Sequence, residues 1–286
     1  MPAMSMVRVV TDSTADLPPE LVAETGVAVV PLTVSFGDVS YEDGVTIDSR
    51  TFFAKLERGG RSTTSQPAPQ AFMDVYRRLA ADGAQGIVSI QISAKLSGTY
   101  GAATRAAQAL HDDGITIPIE VIDSEQASLS MQFGVLAAVE AARAGKDMAA
   151  VVAIARDTLR RSTIYLVADD LGYLQRGGRI GQAQRVAGTL LNVKPIISLR
   201  DGAVVALDRP RTRRKAFERL AEYVRELEPV ESLIVGQASE EVGDQLAEVI
   251  AQTYKGPTRR AWAGPTIGTH VGPGAAGIAV LRARAG

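Results

Sequence analysis

Hydroxyl side chains gather at three places in this sequence where a strand-like run gives way to a helix-like one, and no base accompanies them. Ser93, Ser97 and Thr99 follow "GIVSIQI" (Gly86 to Ile92) and precede an alanine-rich segment ending at Leu110. The first N–H groups of a helix lack internal partners and the helix dipole is positive there, so this is the geometry of an anion seat. Ser97 equally suits the ordinary role of an N-cap. Thr63, Thr64 and Ser65 stand before Pro67 and Pro69, which bias Gln66 and Ala68 away from helix and leave the hydroxyls on an extended approach to a cleft, or on a plain loop. Asp12, Ser13 and Thr14 follow the opening strand, on the usual ligand side of an open α/β sheet, although turn chemistry with a cap at Asp16 explains them as well.

A fourth stretch, Gly264 to Gly277, holds five glycines and His270. Such density predicts positive φ angles or a close backbone approach, with His270 either structural or part of a site. It lacks the Lys and Ser/Thr that end a P-loop. Arg176 and Arg179 flank Gly177 and Gly178. Arginine forks suit carboxylates and phosphates, which makes this a docking or phosphate-contact edge unless it is only a helix C-cap with Gly177 left-handed. Arg209, Arg211, Arg213, Arg214 and Lys215 form a second basic run that reads as a solvated face.

Several chemistries are excluded. The chain has no cysteine and two histidines, His111 and His270, which leaves no thiol nucleophile and little material for a metal site. No G-x-S-x-G elbow, dinucleotide fingerprint or kinase signature occurs. The expectation is no catalytic residue, no metal and no cofactor. A net charge of −1 gives no field to recruit nucleic acid. Hydrophobic residues at 46% and charged residues at 22% indicate a folded globular chain rather than a disordered one. Neither a secretory signal nor an apolar span of 18 residues is found, and the expected location is the cytoplasm.

The elements that must position these groups alternate between strand and helix throughout, predicting two α/β domains with largely parallel sheets. "VRVVTDS", "VAVVPLTVSF", "GIVSIQI" and "IEVID" read as strands of the first domain, 1–160. "TIYLVAD", "KPIISL", "DGAVVAL", "ESLIVGQ" and "GIAVL" read as strands of the second, 161–286, with a hairpin at Asp201-Gly202. "GQAQRVAGTLL" reads as a helix, and Leu129, Phe133 and Leu191 are expected to shape any tunnel. Ligands favour the crevice between such domains.

Taken in order, "VTDSTADLP", "TSQPAP", "SAKLSGTYGAA", "VIDSEQASLSMQFGVL", "LGYLQRGGRIG", "NVKPIISLRDG" and "GTHVGPGAAG" resemble the DegV family of bacterial fatty-acid-binding proteins. The resemblance implies two α/β domains around a tunnel at their interface that holds one long-chain fatty acid. It further implies that the carboxylate is presented to a separate ATP-binding fatty acid kinase subunit, and that the acyl phosphate passes to an acyltransferase of phospholipid synthesis. By the same resemblance Thr64, Ser97 and the N–H groups from Gly98 hold the carboxylate, His270 lies beside it, and Ser93 is a weaker candidate. Arg176 and Arg179, with Arg209, match the edge implicated in partner or phosphate contact. A transient membrane contact is compatible with this role. The runner-up reading is a stand-alone transferase or kinase-like enzyme using His270 and Asp12 on a phosphorylated metabolite; a third is a regulatory sensor of acyl chains.

Overall fold

The computed structural model describes residues 6–169, 171–184 and 193–284. Strand β1 (Val7–Asp12) runs into a 3-10 turn, Ser13–Ala15, and then α1 (Pro19–Thr25), which has Pro in its first turn and stops at left-handed Gly26. β2 (Ala28–Val30) ends at Pro31, and β3 (Thr33–Phe36) belongs to a different sheet. "VAVVPLTVSF" is therefore two strands, because proline lacks the N–H that a continuous ladder needs. β4 (Val39–Glu42), α2 (Ser49–Glu57), β5 (Ser62–Ser65) and α3 (Pro69–Ala81) follow. Then come β6 (Gly86–Gln91), α4 (Thr99–Asp112), β7 (Ile119–Asp123), α5 (Leu129–Arg143) and α6 (Met148–Arg161).

The later half contains β8 (Ser162–Val167), α7 (Gly172–Arg176), a 3-10 turn Gly181–Ala183, β9 (Ile196–Arg200) and β10 (Ala203–Asp208). It continues with α8 (Arg213–Glu226), β11 (Val230–Gln237), α9 (Glu240–Thr253), β12 (Thr258–Trp262), α10 (Pro265–Val271) and β13 (Ala276–Arg282). Most of the helix expected over "GQAQRVAGTLL", and with it Leu191, lies outside the described residues.

The expectation of largely parallel sheets holds for one sheet. The order β2-β1-β6-β7 is parallel throughout. Successive residues of β1 face opposite ways, so Val9 packs with Val135 and Ala138 of α5, while Val10 packs with Phe72 of α3 and Ala103 of α4. The second sheet, β10-β9-β8-β13-β11-β12, corrects the reading: four of its five pairings are antiparallel, and only β11 with β12 is parallel. The connections account for this. β9 reaches β10 through the expected turn at Asp201 and Gly202, which have φ of 49° and 75°, and so short a link permits only antiparallel pairing. A third, antiparallel sheet, β4-β3-β5, was not expected.

Helix α5 lies between the first two sheets. Met131, Val135 and Ala138 join the core of the parallel sheet, whereas Leu129 and Phe133 pack with Ile234, Ala279 and Leu281 of the six-stranded sheet. Eleven of its fifteen residues are buried, which is why its sequence is apolar around most of its circumference. On the outer face of the six-stranded sheet, α8 and α9 cover Tyr165, Val235 and Ile278. The small sheet packs Val34 with Phe52 and Phe53 of α2 and Val271 of α10.

Candidate ligand-binding site

A cavity open to solvent lies between the sheets, about 1150 Å³ of empty space with its open mouth included. Strand alternation builds its apolar wall: Ile164 and Leu166 of β8 and Ile197 and Leu199 of β9 line it, opposite Ile92 and Leu129, while Tyr165 and Val167 turn to the core beneath α8. Polar groups enter at Thr64, Gln66, Ser97, Arg179 and His270.

Contacts tie these groups into one cluster. Thr64 stands at the third position of β5, and its Oγ1 lies 2.9 Å from His270 Nε2 on α10. Ser97 Oγ accepts the Thr99 N–H at 3.3 Å and lies 2.8 Å from Thr99 Oγ1. The N-cap position expected of Ser97 falls to Gly98; Ser97, one residue earlier, bonds the first helical N–H from the preceding turn and lines the cavity. Arg179 Nε donates to Leu96 O at 3.1 Å, which brings the guanidinium to the same loop. Burial, with a smaller contribution from the Arg179 charge, pushes the His270 pKa down to about 4, so the imidazole is neutral at neutral pH. Its Nδ1 is buried without a hydrogen bond and faces Gly177, where a Cβ would overlap it. Gly177 is therefore a close-approach glycine in the right-handed region, and the left-handed residue of the pair is Gly178, φ 70°.

The remaining expected residues lie elsewhere. Ser93 is fully buried and does not line the cavity: its hydroxyl donates to Gly202 O at 2.7 Å, pinning the β9–β10 turn to the β6–α4 loop. Gly98 is the N-cap residue of α4, with a role described below. Arg176 stacks over Tyr173, 4.5 Å from the ring centroid, and Arg209 follows β10; both are exposed and outside the lining. Asp12, named with His270 in the stand-alone-enzyme reading, is fully buried and accepts from Thr14 N at 2.9 Å and Ile92 N at 2.8 Å. It braces the end of β1 against β6 and does not face the cavity.

A feature the sequence reading missed lies behind the cavity wall. Asp12, Asp16 and Asp43 are all buried, and among the described residues none has an ion-pair partner. Asp16 accepts from the Ser128 hydroxyl, and Asp43 accepts from Ser13 Oγ at 2.9 Å and Thr266 N at 3.3 Å. Ser128 and Thr266 line the cavity, so the carboxylates brace its wall from outside. Burial raises all three pKa values, that of Asp43 to about 6 and that of Asp16 well above the usual range, with Asp43 and Asp12 repelling its charge. Asp12 and Asp16 stand in a visible "DSTAD", but "YEDG" around Asp43 reads as a surface turn. No group of three or more His, Cys, Asp or Glu among the described residues has metal-holding geometry.

The comparisons with known proteins point one way. A family model described as uncharacterised proteins of the DegV family matches residues 6–283. A DegV domain-containing protein of Streptomyces coelicolor is 37% identical over 279 residues, covering 96% of this chain and 98% of that protein. Among solved structures, a fatty-acid-binding DegV family protein from Thermus thermophilus is 35% identical with a TM-score of 0.86, covering 97% of this chain and 99% of that one. A stearic-acid-binding protein from Eubacterium ventriosum is 26% identical with a TM-score of 0.88, covering 96% and 98%. With a family match from the first described strand to the last, and sequence identity above a third carried along nearly the whole length of a relative, the chain belongs to the DegV family.

Proposed function

We propose that this chain, divided near residue 160 into two α/β domains, binds one long-chain fatty acid and presents its carboxylate to a separate ATP-dependent kinase subunit. The observation that carries the reading is an apolar cavity whose polar groups, Thr64, Ser97, Arg179 and a neutral His270, are joined at one place. Two solved relatives of the same fold bind fatty acids by their descriptions, which supports the ligand class. At about 0.8 kcal/mol per methylene, burying a sixteen-carbon tail is worth roughly 12 kcal/mol before binding costs. Hydroxyl contacts to the headgroup contribute about 1.5–3 kcal/mol each when charge-assisted. The tail accordingly sets affinity, and the hydroxyls set where the reactive oxygen lies.

The kinase step rests on the chemistry of the site together with the family resemblance. Hydroxyls and a neutral imidazole suit the holding of a carboxylate, and by that resemblance phosphorylation is assigned to a partner docking over Arg176, Arg179 and Arg209. An acyltransferase of phospholipid synthesis then consumes the acyl phosphate, in the cytoplasm. Mass spectrometry of an organic extract from protein purified without added lipid tests the ligand. One equivalent of fatty acid above a mock purification is expected, and a protein that carries none and takes up none sinks the proposal.

A further inference from the structure

Gly98 raises a question that its backbone does not answer. Its φ of −74° and ψ of 6° suit any L-residue, so no conformational demand calls for glycine at the N-cap of α4. The demand is spatial. A Cβ there would overlap Gln66 Oε1 and lie 2.8 Å from Gln66 Cδ and 3.1 Å from Nε2. The room of one side chain is filled by the carboxamide of Gln66, laid across the residue that opens the helix.

Local structure holds the amide in place. β5 ends at Ser65, and Pro67 keeps Gln66 extended, so its side chain spans the gap to α4 and cannot fold into α3. Gln66 lines the cavity between Thr64 and Ser97 and has no side-chain hydrogen bond to other described residues. Gln66 is exposed, so its carboxamide is hydrated rather than bonded within the described residues, and at the cavity beside the hydroxyls of Thr64 and Ser97 its donors are open to a ligand.

Resting on the fatty-acid reading, we propose that Gln66 is a specificity-determining residue that reads the ligand headgroup as a carboxylate. Turned about its last bond, the amide points Nε2 at the carboxylate and gives it a donor beyond Thr64, Ser97 and the first N–H groups of α4. Gly98 keeps the space in which it turns. An alcohol or ester headgroup gains only a neutral hydrogen bond there.

Gln66→Glu tests this without changing shape, because it replaces a two-donor amide by an anion that only accepts. At pH 7.5 the affinity for a long-chain fatty acid is expected to fall about tenfold or more, and that for the alcohol of the same chain length by less than about threefold. Gly98→Ala is expected to narrow the acid-over-alcohol preference in the same direction, and adding Gln66→Ala to it to narrow it little further, since both changes remove one interaction. Equal losses for acid and alcohol in Gln66→Glu, or no loss for either, overturn the assignment of Gln66 while leaving fatty-acid binding intact. A wild-type chain that binds neither ligand overturns the fatty-acid reading and this assignment with it.

Discussion

The hydroxyls of Thr64 and Ser97 already have partners within the chain, and those partners decide what each can offer. Ser97 Oγ accepts the Thr99 N–H and shares a hydrogen bond with Thr99 Oγ1 in which either oxygen can donate; when Thr99 is the donor, the Ser97 proton is left to point outward. Thr64 shares one hydrogen bond with a His270 that stays neutral down to about pH 4, so either atom of that pair can carry the proton. Removing the Ser97 hydroxyl therefore takes one donor from the headgroup and nothing from the tail. Ser97→Ala is expected to lower acyl-phosphate formation with the kinase partner by about tenfold, while fatty-acid affinity changes by less than about fivefold. If the Ser97→Ala protein purified free of lipid yet was phosphorylated normally once fatty acid was supplied, this division of labour would be wrong. Such a role was partly legible in sequence, since hydroxyls ahead of a helix announce an anion seat. The dispersal of Ser93 was not legible: its spacing from Ser97 resembles that of a second ligand, and only the arrival of the β9–β10 turn at Gly202 takes its hydroxyl away.

At the scale of elements, the first turn of α10, the β3–β4 sheet and the start of α5 meet on the buried carboxylates. Asp16 Oδ1 has no hydrogen-bond partner and lies against Gly264, and Asp43 Oδ1 would lie 3.6 Å from a Cβ on that glycine, so the two carboxyls face each other across it. Gly264 and Gly268 are close-approach glycines, a Cβ on the latter falling 2.6 Å from Phe52 Cε1 and 2.7 Å from Phe53 Cζ, whereas Gly272 alone in that stretch has positive φ, 82°. Sequence foresaw both causes but assigned no element where α10 lies, since glycine density hides a short helix whose stability comes from packing. Among the described residues no cation balances the acids, and the direction of the pH effect follows. A carboxyl whose folded pKa is raised keeps its proton in the folded state after the unfolded chain has lost it. Stability from Asp43 is thus present below the ordinary value of 3.8 and is lost as pH rises through about 6. Asp43→Asn removes that loss and can turn Nδ2 toward Asp16. Thermal midpoints measured from pH 4 to 8 should show the variant equal to wild type at the acid end and more stable at the alkaline end, by about 1–3 kcal/mol. A variant less stable than wild type at pH 7.5 would show that Asp43 is ionised and well held.

Across the whole molecule, the cavity is assembled from residues as distant in sequence as Thr64 and His270, and its walls come from the six-stranded sheet, from β5 of the small sheet, from α5 and from the loops that leave the parallel sheet at Leu32 and Ile92. Periodicity gave the individual strands, because alternation is a local property. It did not give their pairing: the antiparallel ladder of the six-stranded sheet is set by which turns are short, and β12, "TRRAW", carries exposed arginines that mask it as a strand. The motifs of the resemblance escaped this limit because they mark the loops that end at the cavity rather than the elements that support them. A cavity lined from both halves of the chain also has a thermodynamic consequence. Ligand that fills it binds the folded chain and not the unfolded one, and it touches elements from both halves at once. Saturation at a hundredfold excess over Kd should therefore add about 2.7 kcal/mol of stability, enough to raise the thermal midpoint by several degrees. Because Ile92 and Leu129 line the wall together with Ile164 and Leu199, the rise should appear as one cooperative shift of the entire transition. Scanning calorimetry of stripped and reloaded protein distinguishes the cases. A single peak displaced upward fits a ligand held by every wall, whereas two peaks with only one displaced would assign the fatty acid to one half of the chain and contradict the shared cavity.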